Sequence, residues 1–488
     1  MTMTRRRLLQ GGLAAGGVLA TRRLGWASGA AGAATPDLSR LAQAITVASR
    51  EDAFDVGARA LARGATPEQL LGAVFLAGVR EVRPRHVGGK LHCVMMVESA
   101  CQLNETATPQ QARLAALWNL DDFKSSQARD RREGDWSLPP RPDVTFASET
   151  VARRELHAAM QAWDDDRADR AIVGLLPFHD RASLFEILWP YCARSIVSLG
   201  HKIILGAHVE RTLARIGWQH AEPALRNLVH GLLHVDGGGR ADATWEPARE
   251  LAAALPTRKS QGRASVEESA RWLPTLRTAT SREVQELVAA GLADGLAEST
   301  AWDSLRLFAA EVCWRRPILL PVHALTEVNA FAHAASRTAS LTRRRELLLQ
   351  VAGWMPLIRD ALVERSRLRL TGPGIETLGE AIDPAAPEPA GDVDTLRRDP
   401  ARLRRWLERD DTSAGRLAAE LRDQLTRKAR QSHQFKLAAA LWEESRRIAP
   451  RWRSRLLAGS LGYLPESTEN ETETLRRSVA ALRRHGMS

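Results

Sequence analysis

Apolar side chains recur three and four residues apart along almost the whole chain, as in segments 70–79 and 305–312. This period places them on one face of an α-helix. The sequence lacks runs of alternating β-branched residues, the pattern typical of a half-buried strand. The pattern therefore predicts an all-α protein.

Three segments interrupt the helical pattern with the proline, glycine and charged residues that are typical of linkers: 133–144, 236–262 and 371–394. They divide the chain after residue 34 into four blocks of similar size. We predict helical repeats at 35–135, 145–237, 263–370 and 395–488.

The first and third blocks align without gaps. Gln69–Pro84 matches Trp302–Pro317, including the closing proline, and both are followed by a short loop and a helix that begins with histidine. The second and fourth blocks each contain such a histidine as well. The four histidines are separated by 109, 122 and 110 residues and are His92, His201, His323 and His433. The repeat unit is helix, loop, histidine-led helix, helix, and four of them would form an array or a toroid.

A histidine in the first turn of a helix lies near the positive end of the helix dipole, which lowers its pKa and keeps the ring neutral. A neutral imidazole can act as a metal ligand, a hydrogen-bonding group or a general base. If the repeats close around an axis, the four histidines meet at equivalent positions. Such a cluster could bind iron, copper or zinc, or it could form a cofactor-free pocket with lysine as the cation.

Further candidates are less central. Polar residues follow three of the histidines by about two helical turns: Glu98, His208 and Asn329. Glu98 is a candidate metal ligand, and His208 and Asn329 are candidate cofactor-binding residues. His220, a third candidate of that kind, lies at a helix end just before a proline, where it could form the lip of a pocket or simply end the helix.

Lysine is rare in this chain, with six residues among 69 basic ones. Three of the six, Lys90, Lys202 and Lys436, lie within three residues of a repeat histidine. The lysine amine is a compact charge whose pKa falls on burial, which suits acid–base chemistry. We therefore group Lys202 and Lys436 with the four histidines as candidate catalytic residues.

The formal net charge is +11, but five of these charges are arginines in the first 34 residues. The remaining basic residues form no stripe interleaved with aromatics, so a nucleic-acid partner is not expected. The sequence also lacks a Walker loop, a dinucleotide-binding fingerprint and a G-x-S-x-G elbow.

The N-terminus resembles a twin-arginine export signal. Thr4–Gln10 reads TRRRLLQ, a Gly/Ala-rich apolar stretch follows at 8–20, and small residues occupy 27–34. The apolar stretch is shorter than the about 20 residues that span a membrane. We predict a signal peptide at 1–34, recognition by the twin-arginine export machinery, and a periplasmic or secreted mature chain without a membrane span. An uncleaved basic anchor is the alternative.

Three segments resemble the questin oxidase-like family, helical proteins that in fungi are tied to oxidative ring cleavage of polyketides. They are Val322–Thr326, Gly200–Gly206 and Ser432–Leu437. Two features depart from the family pattern: the second histidine of the His201 helix is displaced to His208, and Ser432 replaces a glycine. The fungal enzymes also lack an export signal, and the segments look closer still to uncharacterised exported bacterial proteins. The resemblance implies an oxidoreductase that acts on an aromatic or quinone-like small molecule, with the histidines and lysines lining its pocket.

Two functions remain open at this point. The first is an exported oxidoreductase with a multi-histidine pocket. The second is a non-catalytic α-helical repeat protein that binds a ligand or a protein partner on its concave surface.

Overall fold

A computed structural model describes residues 37–85, 88–196, 198–234, 243–256, 262–381, 392–409 and 412–487. Over these residues the secondary structure is helical without a β-strand, and one isolated bridge joins Arg263 to Leu296. The all-α prediction is confirmed. The predicted signal peptide at 1–34 lies outside the described residues. In the described part of the chain, no helix is both long enough and apolar enough to cross a membrane.

The helices are numbered in chain order. Those of the first predicted block are α1 (Leu38–Val47), α2 (Arg50–Ala62), α3 (Pro67–Glu81), α4 (His92–Asn104) and α5 (Pro109–Glu133). Those of the second are α6 (Glu149–Ala162), α7 (Asp165–Leu175), α8 (Arg181–Ala193), α9 (His201–Ile216) and α10 (Ala221–Leu233). The next are α11 (Trp245–Ala254), α12 (Val266–Arg271), α13 (Leu273–Thr278), α14 (Ser281–Ala293), α15 (Glu298–Arg315), α16 (Leu319–Arg337) and α17 (Leu341–Ser366). The last are α18 (Val393–Arg397), α19 (Pro400–Leu407), α20 (Ser413–Lys428), α21 (Ser432–Arg447), α22 (Pro450–Ser460) and α23 (Glu473–Arg484). Single 3₁₀ turns occur at Leu176–Phe178, Trp218–His220 and Ile375–Thr377.

Local sequence signals explain where several of these helices begin. Thr66 and Thr108 each form a capping box, in which the threonine oxygen accepts from the amide three residues later and a glutamine returns the bond. A proline at the first helical position follows each threonine, where its missing amide hydrogen costs nothing. The same box at Thr280 begins α14.

Four inner helices form a closed ring. The inner helices are α4, α9, α16 and α21; each packs against the next in chain order, and α21 packs against α4. Each inner helix also contacts the helix immediately before it and the helix immediately after it in the chain. The contacts are thus of the same kind in all four blocks, while the full equivalence of four repeats stays a prediction.

The histidines do not all occupy the same position in their helices. His92 and His201 are the first residues of α4 and α9, and His433 is the second residue of α21. The prediction of a helix start at His323 is wrong, because α16 begins four residues earlier at Leu319. Pro321 lies in that first turn, where proline is tolerated, so it does not stop the helix from extending toward the N-terminus.

Two of the predicted linkers contain packed structure. Residues 236–262 include α11, which packs against α14 and α17 and buries Trp245. Residues 371–394 include the turn at Ile375–Thr377, whose Ile375 is fully buried. Both segments contain several glycines and prolines, and these obscure the few apolar residues that anchor the segments in the core. The segment 135–144 is free of helix and contacts the last turn of α3, where the Leu138 amide donates to the Arg80 carbonyl over 2.7 Å.

Candidate functional site: a buried four-histidine cluster

The ring of inner helices brings the four repeat histidines into mutual contact. Around the ring, the imidazole centroids of successive pairs lie 4.9 Å apart (His92 and His201), 4.8 Å (His201 and His323), 5.1 Å (His323 and His433) and 4.1 Å (His433 and His92). The centroids of His201 and His433, which face each other across the ring, are 6.0 Å apart. All four side chains are buried. We call these four residues the histidine cluster.

Backbone carbonyls orient three of the four rings. His92 Nδ1 lies 2.6 Å from the Gly89 oxygen, and His323 Nδ1 lies 3.2 Å from the Leu320 oxygen. His201 Nδ1 bonds in the same way to the oxygen of Ser198. Each acceptor is three residues before its histidine. Because a carbonyl can only accept, each Nδ1 carries the hydrogen and each Nε2 of a neutral ring keeps its lone pair.

Ring nitrogens of the cluster come close to one another, although His323 lies outside the closest group of three. The Nε2 atoms of His92 and His201 are 3.0 Å apart. Those of His323 and His433 have no hydrogen-bond partner among the described residues. Ligand nitrogens of His92, His201 and His433 all lie within 4.8 Å of one another, a spacing at which three groups can hold one metal ion. Imidazole nitrogens bind a metal at about 2.0–2.1 Å, which leaves two ligands of one ion about 3 Å apart.

The cluster opposes protonation. Burial, followed by the charge of Lys436, lowers the pKa of His92 and of His201 well below 6.5. The same two causes lower the pKa of His323 to about 3 and shift the pKa of His433 in the same direction. The rings are therefore neutral near pH 7, which is the form that binds metals.

Lys436 is the cation of this site. It lies on α21 one turn after His433, is 2% exposed, and its Nζ has no hydrogen-bond partner in the described part of the chain. Burial lowers the pKa of Lys436 to about 7, and the charge of Asp122 acts against this shift. An amine with such a pKa can hold or release a proton near neutral pH.

Asp122 on α5 is a polar residue of the site that the sequence did not single out. Its Oδ2 is enclosed and lacks a hydrogen-bond partner among the described residues. Burial and the neighbouring Asp121 raise the pKa of Asp122 to about 7. The sequence did contain a sign of this residue, because Asp121 and Asp122 interrupt an apolar helix between Leu120 and Phe123. Acidic side chains are rarely buried unless they are paired.

Lys202, predicted beside the cluster, is directed elsewhere. Its side chain is buried, but its Nζ lies 4.9 Å from the ring centroid of Trp163, next to the end of α6. Adjacent residues on a helix point about 100° apart, so Lys202 and His201 face different neighbours. Lys90 is also directed away from the cluster. It forms ion pairs with Asp130 and with Glu133, the latter at 2.8 Å.

Glu98 is not a ligand of the cluster, contrary to the prediction. Its carboxylate accepts from Arg215 Nε over 2.8 Å and from Gln102 over 3.0 Å. Six residues on α4 separate it from His92, or about 9 Å along the axis. The buried acid is therefore committed to an ion pair between α4 and α9.

His220 also lies away from the cluster. It is in the 3₁₀ turn beyond the far end of α9, where burial and then the charge of Arg80 lower its pKa. The length of α9 separates it from His201, so the predicted pocket lip belongs to another part of the surface.

Asn329 and His208 lie in a second polar layer rather than in the cluster. The Asn329 amide donates to Glu443 and to Glu444, each over 2.7 Å. These acids are further paired with arginines, Glu443 with Arg211 at 2.8 Å and Glu444 with Arg306 at 2.6 Å. Such a satisfied network fixes how the inner helices pack.

His208 belongs to the same layer and is buried. It lies seven residues after His201 on the same face of α9, two turns further along. Burial and Arg211 lower its pKa, and the backbone of Met95 on α4 hydrogen-bonds to it. His208 thus links α9 to α4 below the cluster.

Comparison with known proteins returns no matching family model, no matching curated protein and no matching solved structure. The fold and the site together define the class: an all-α protein whose four inner helices enclose a polyhistidine cluster. The resemblance to the questin oxidase-like family rests on the sequence segments alone.

Proposed function

We propose that the histidine cluster binds a transition-metal ion and that the protein is an exported oxidoreductase which uses this ion on a small molecule. The observation that carries the proposal is the 3.0 Å separation of the His92 and His201 Nε2 atoms. Both rings already use the Nδ1 hydrogen on a backbone carbonyl, so two lone pairs face each other. A proton or a metal ion between them removes the repulsion.

A metal ion satisfies this geometry better than a proton. Burial and Lys436 lower the pKa of both rings, so a shared proton is held poorly. A backbone carbonyl on Nδ1 is also the usual outer partner of a metal-binding histidine, because it fixes the ring and its tautomer. Imidazole donors suit iron, copper and zinc, of which iron and copper support redox chemistry.

The other elements of this proposal come from the sequence. The twin-arginine pattern supports export of the folded, metal-loaded chain to the periplasm or beyond. The resemblance to the questin oxidase-like family supports an aromatic or quinone-like substrate. Lys436, whose pKa is near 7, is suited to supply or accept a proton beside the metal.

One observation favours a second function, metal-free ligand binding without catalysis. When the buried Lys436 amine is protonated it is itself a cation, and a positive charge there weakens the binding of a metal cation nearby. In this case the cluster and Lys436 would hold an anionic ligand, and the protein would be a helical repeat binder.

Metal analysis of the purified mature chain separates the two functions. We expect one equivalent of iron or copper, or stoichiometric uptake of Co²⁺ with visible absorption bands. His92→Ala and His433→Ala should reduce Co²⁺ affinity, because both belong to the closest group of ring nitrogens, whereas His220→Ala, a histidine outside the cluster, should not. A wild-type chain that takes up none of these ions would exclude the metal site and leave the binder or a cofactor-free enzyme.

A further inference from the structure

A separate cavity lies on the outer side of the ring, between α6, α8 and the starts of α11 and α17. Its volume is about 740 Å³, within the range of about 300–1,000 Å³ that small-molecule sites occupy. Its lining includes the aromatic side chains of Trp163 and Tyr191, five arginines and two glutamates. The cavity is therefore aromatic and net positive.

Arg194 is the unusual member of this lining. It is 5% exposed, and its guanidinium carbon lies 4.1 Å from the Trp163 centroid and 5.2 Å from the Tyr191 centroid. Its Nη2 donates to the Met160 carbonyl over 2.9 Å, and its Nε has no hydrogen-bond partner in the described part of the chain. Among those residues no carboxylate pairs with it, although a buried charge normally requires a partner.

Two of the other four arginines of the cavity are paired with glutamates of the protein. Arg249 pairs with Glu246 at 2.8 Å, and Arg343 pairs with Glu346. The cavity glutamate Glu186 accepts bonds from Thr338 and from the Ala339 amide, so it is not directed at Arg194. The buried guanidinium is left as a cation that faces the cavity.

The aromatic walls are held in position. The Tyr191 hydroxyl lies 2.7 Å from His157 Nδ1, which fixes its ring. Trp163 ends α6 in the left-handed backbone region, with φ of 57°, a conformation that costs energy for a residue with a large side chain. Its ring is placed against Arg194 at the expense of that local strain.

We propose that this cavity binds a small planar carboxylate of the benzoate type. The carboxylate accepts hydrogen bonds from the Arg194 guanidinium and supplies the missing negative charge. The planar ring packs against Trp163 and Tyr191. This site is independent of the metal proposed for the histidine cluster.

Calorimetric titration of the mature chain with sodium benzoate tests the proposal. We expect saturable binding of benzoate, and binding at least about tenfold weaker for uncharged benzamide, because a hydrogen-bonded ion pair contributes more than a neutral contact. Cyclohexanecarboxylate has the charge without the planar ring and should also bind more weakly than benzoate. Absence of benzoate binding at millimolar concentrations, or equal binding of all three compounds, overturns the proposal.

Variants assign the binding to Arg194. Arg194→Gln should weaken benzoate by at least about tenfold, and Arg194→Lys, which keeps the charge without the planar fork, should lie between it and the wild type. Arg282→Gln, which removes an exposed arginine of α14 that lies outside the cavity and pairs with Glu286 at 2.6 Å, is the matched control and should bind within a few-fold of wild type. Equal affinity of Arg194→Gln and wild type contradicts the proposal.

A variant at Trp163 tests the site without changing Arg194, in case the Arg194 variants fail to fold. Trp163→Gly removes the aromatic wall at a position whose backbone conformation favours glycine, so helix content should be retained while benzoate affinity falls. Metal-free protein and His92→Ala should bind benzoate like wild type. If the histidine cluster binds no metal, the benzoate result is therefore unaffected. If benzoate does not bind, the metal proposal is equally unaffected.

Discussion

Gly88 lies against the ring of His201, so closely that a Cβ atom at position 88 would be 2.9 Å from His201 Nδ1 and 3.0 Å from Cε1. Nδ1 is the atom that bonds to the Ser198 carbonyl. The absence of a side chain at Gly88 therefore permits the ring orientation that points His201 Nε2 toward His92. One block of the chain thus supports the histidine of the next.

Gly88→Ala should disturb the cluster without removing any of its nitrogens. The added methyl group must displace the His201 ring and weaken its bond to Ser198. Loss of such an outer partner typically lowers metal affinity by about 10–100-fold, and we expect a Co²⁺ titration to show a decrease of this size. Helix content measured by circular dichroism should stay at the wild-type level.

Gly415→Ala is the matched control for that substitution. Gly415 lies inside α20, and no atom would come within 4 Å of an added Cβ. Alanine in a helix interior is favoured over glycine by about 0.5–1 kcal/mol, so this variant should bind Co²⁺ normally and unfold at slightly higher urea. Normal Co²⁺ binding by Gly88→Ala would show that the orientation of His201 is not required.

The helical class could be predicted because periodicity is a local property that the sequence displays directly. The meeting of the histidines followed from one further step, their matching positions in successive blocks. Lys436 and Lys202 could also have been told apart, because a residue three positions after a histidine shares its helix face and an adjacent residue does not.

Other parts of the site depend on tertiary packing. Asp122 comes from α5, more than 300 residues from Lys436 in the chain, and no local pattern connects them. The Arg215 partner of Glu98 lies on another inner helix, so the sequence could not show that this acid was already paired. Helix α11 was hidden because one buried tryptophan anchors it inside a glycine-rich segment.

Glu98→Gln should reduce stability and leave metal binding unchanged. The substitution removes the charge that Arg215 pairs with in the interior, and such a loss typically costs about 1–3 kcal/mol. We expect urea unfolding to show this decrease, with wild-type Co²⁺ stoichiometry. Glu105→Gln removes the other, more exposed partner of Arg215 and should cost less than about 1 kcal/mol. If Glu98→Gln lost Co²⁺ binding, Glu98 would have to be a metal ligand after all.

The export prediction is tested by exchanging the first two arginines of the motif. Arg5→Lys with Arg6→Lys keeps the charge of the N-terminus but removes the paired arginines, so the full chain should accumulate in the cytoplasm with residues 1–34 attached. Arg22→Lys with Arg23→Lys, behind the apolar stretch, is the control and should be exported normally. Cell fractionation shows in which compartment each variant accumulates, and mass spectrometry shows whether residues 1–34 are still attached. Periplasmic accumulation of the first double variant at the wild-type level contradicts the prediction.

The buried pair Lys436 and Asp122 makes stability depend on pH in two windows of opposite sign. The pKa of Lys436 falls from 10.5 to about 7 on folding, so between these values the unfolded chain binds a proton that the folded chain lacks. Stability therefore rises with pH across this window. The pKa of Asp122 rises from 3.8 to about 7, so the folded chain holds the extra proton there and stability falls as pH rises toward 7.

Asp122→Asn removes the pH dependence of stability between 3.8 and about 7, so that the remaining pH dependence from this pair comes from Lys436. In that background Lys436 loses its one opposing acid, so its pKa should fall further and its window should widen. Lys436→Met added to Asp122→Asn should stabilise the metal-free protein by a few kcal/mol at pH 7, since each unit of pKa shift corresponds to about 1.36 kcal/mol. The gain should shrink steadily as pH approaches 10.5, where the lysine is neutral in both states. Urea unfolding of the single and double variants across this range measures the difference. Two parallel stability curves would show that Lys436 stays protonated in the folded protein.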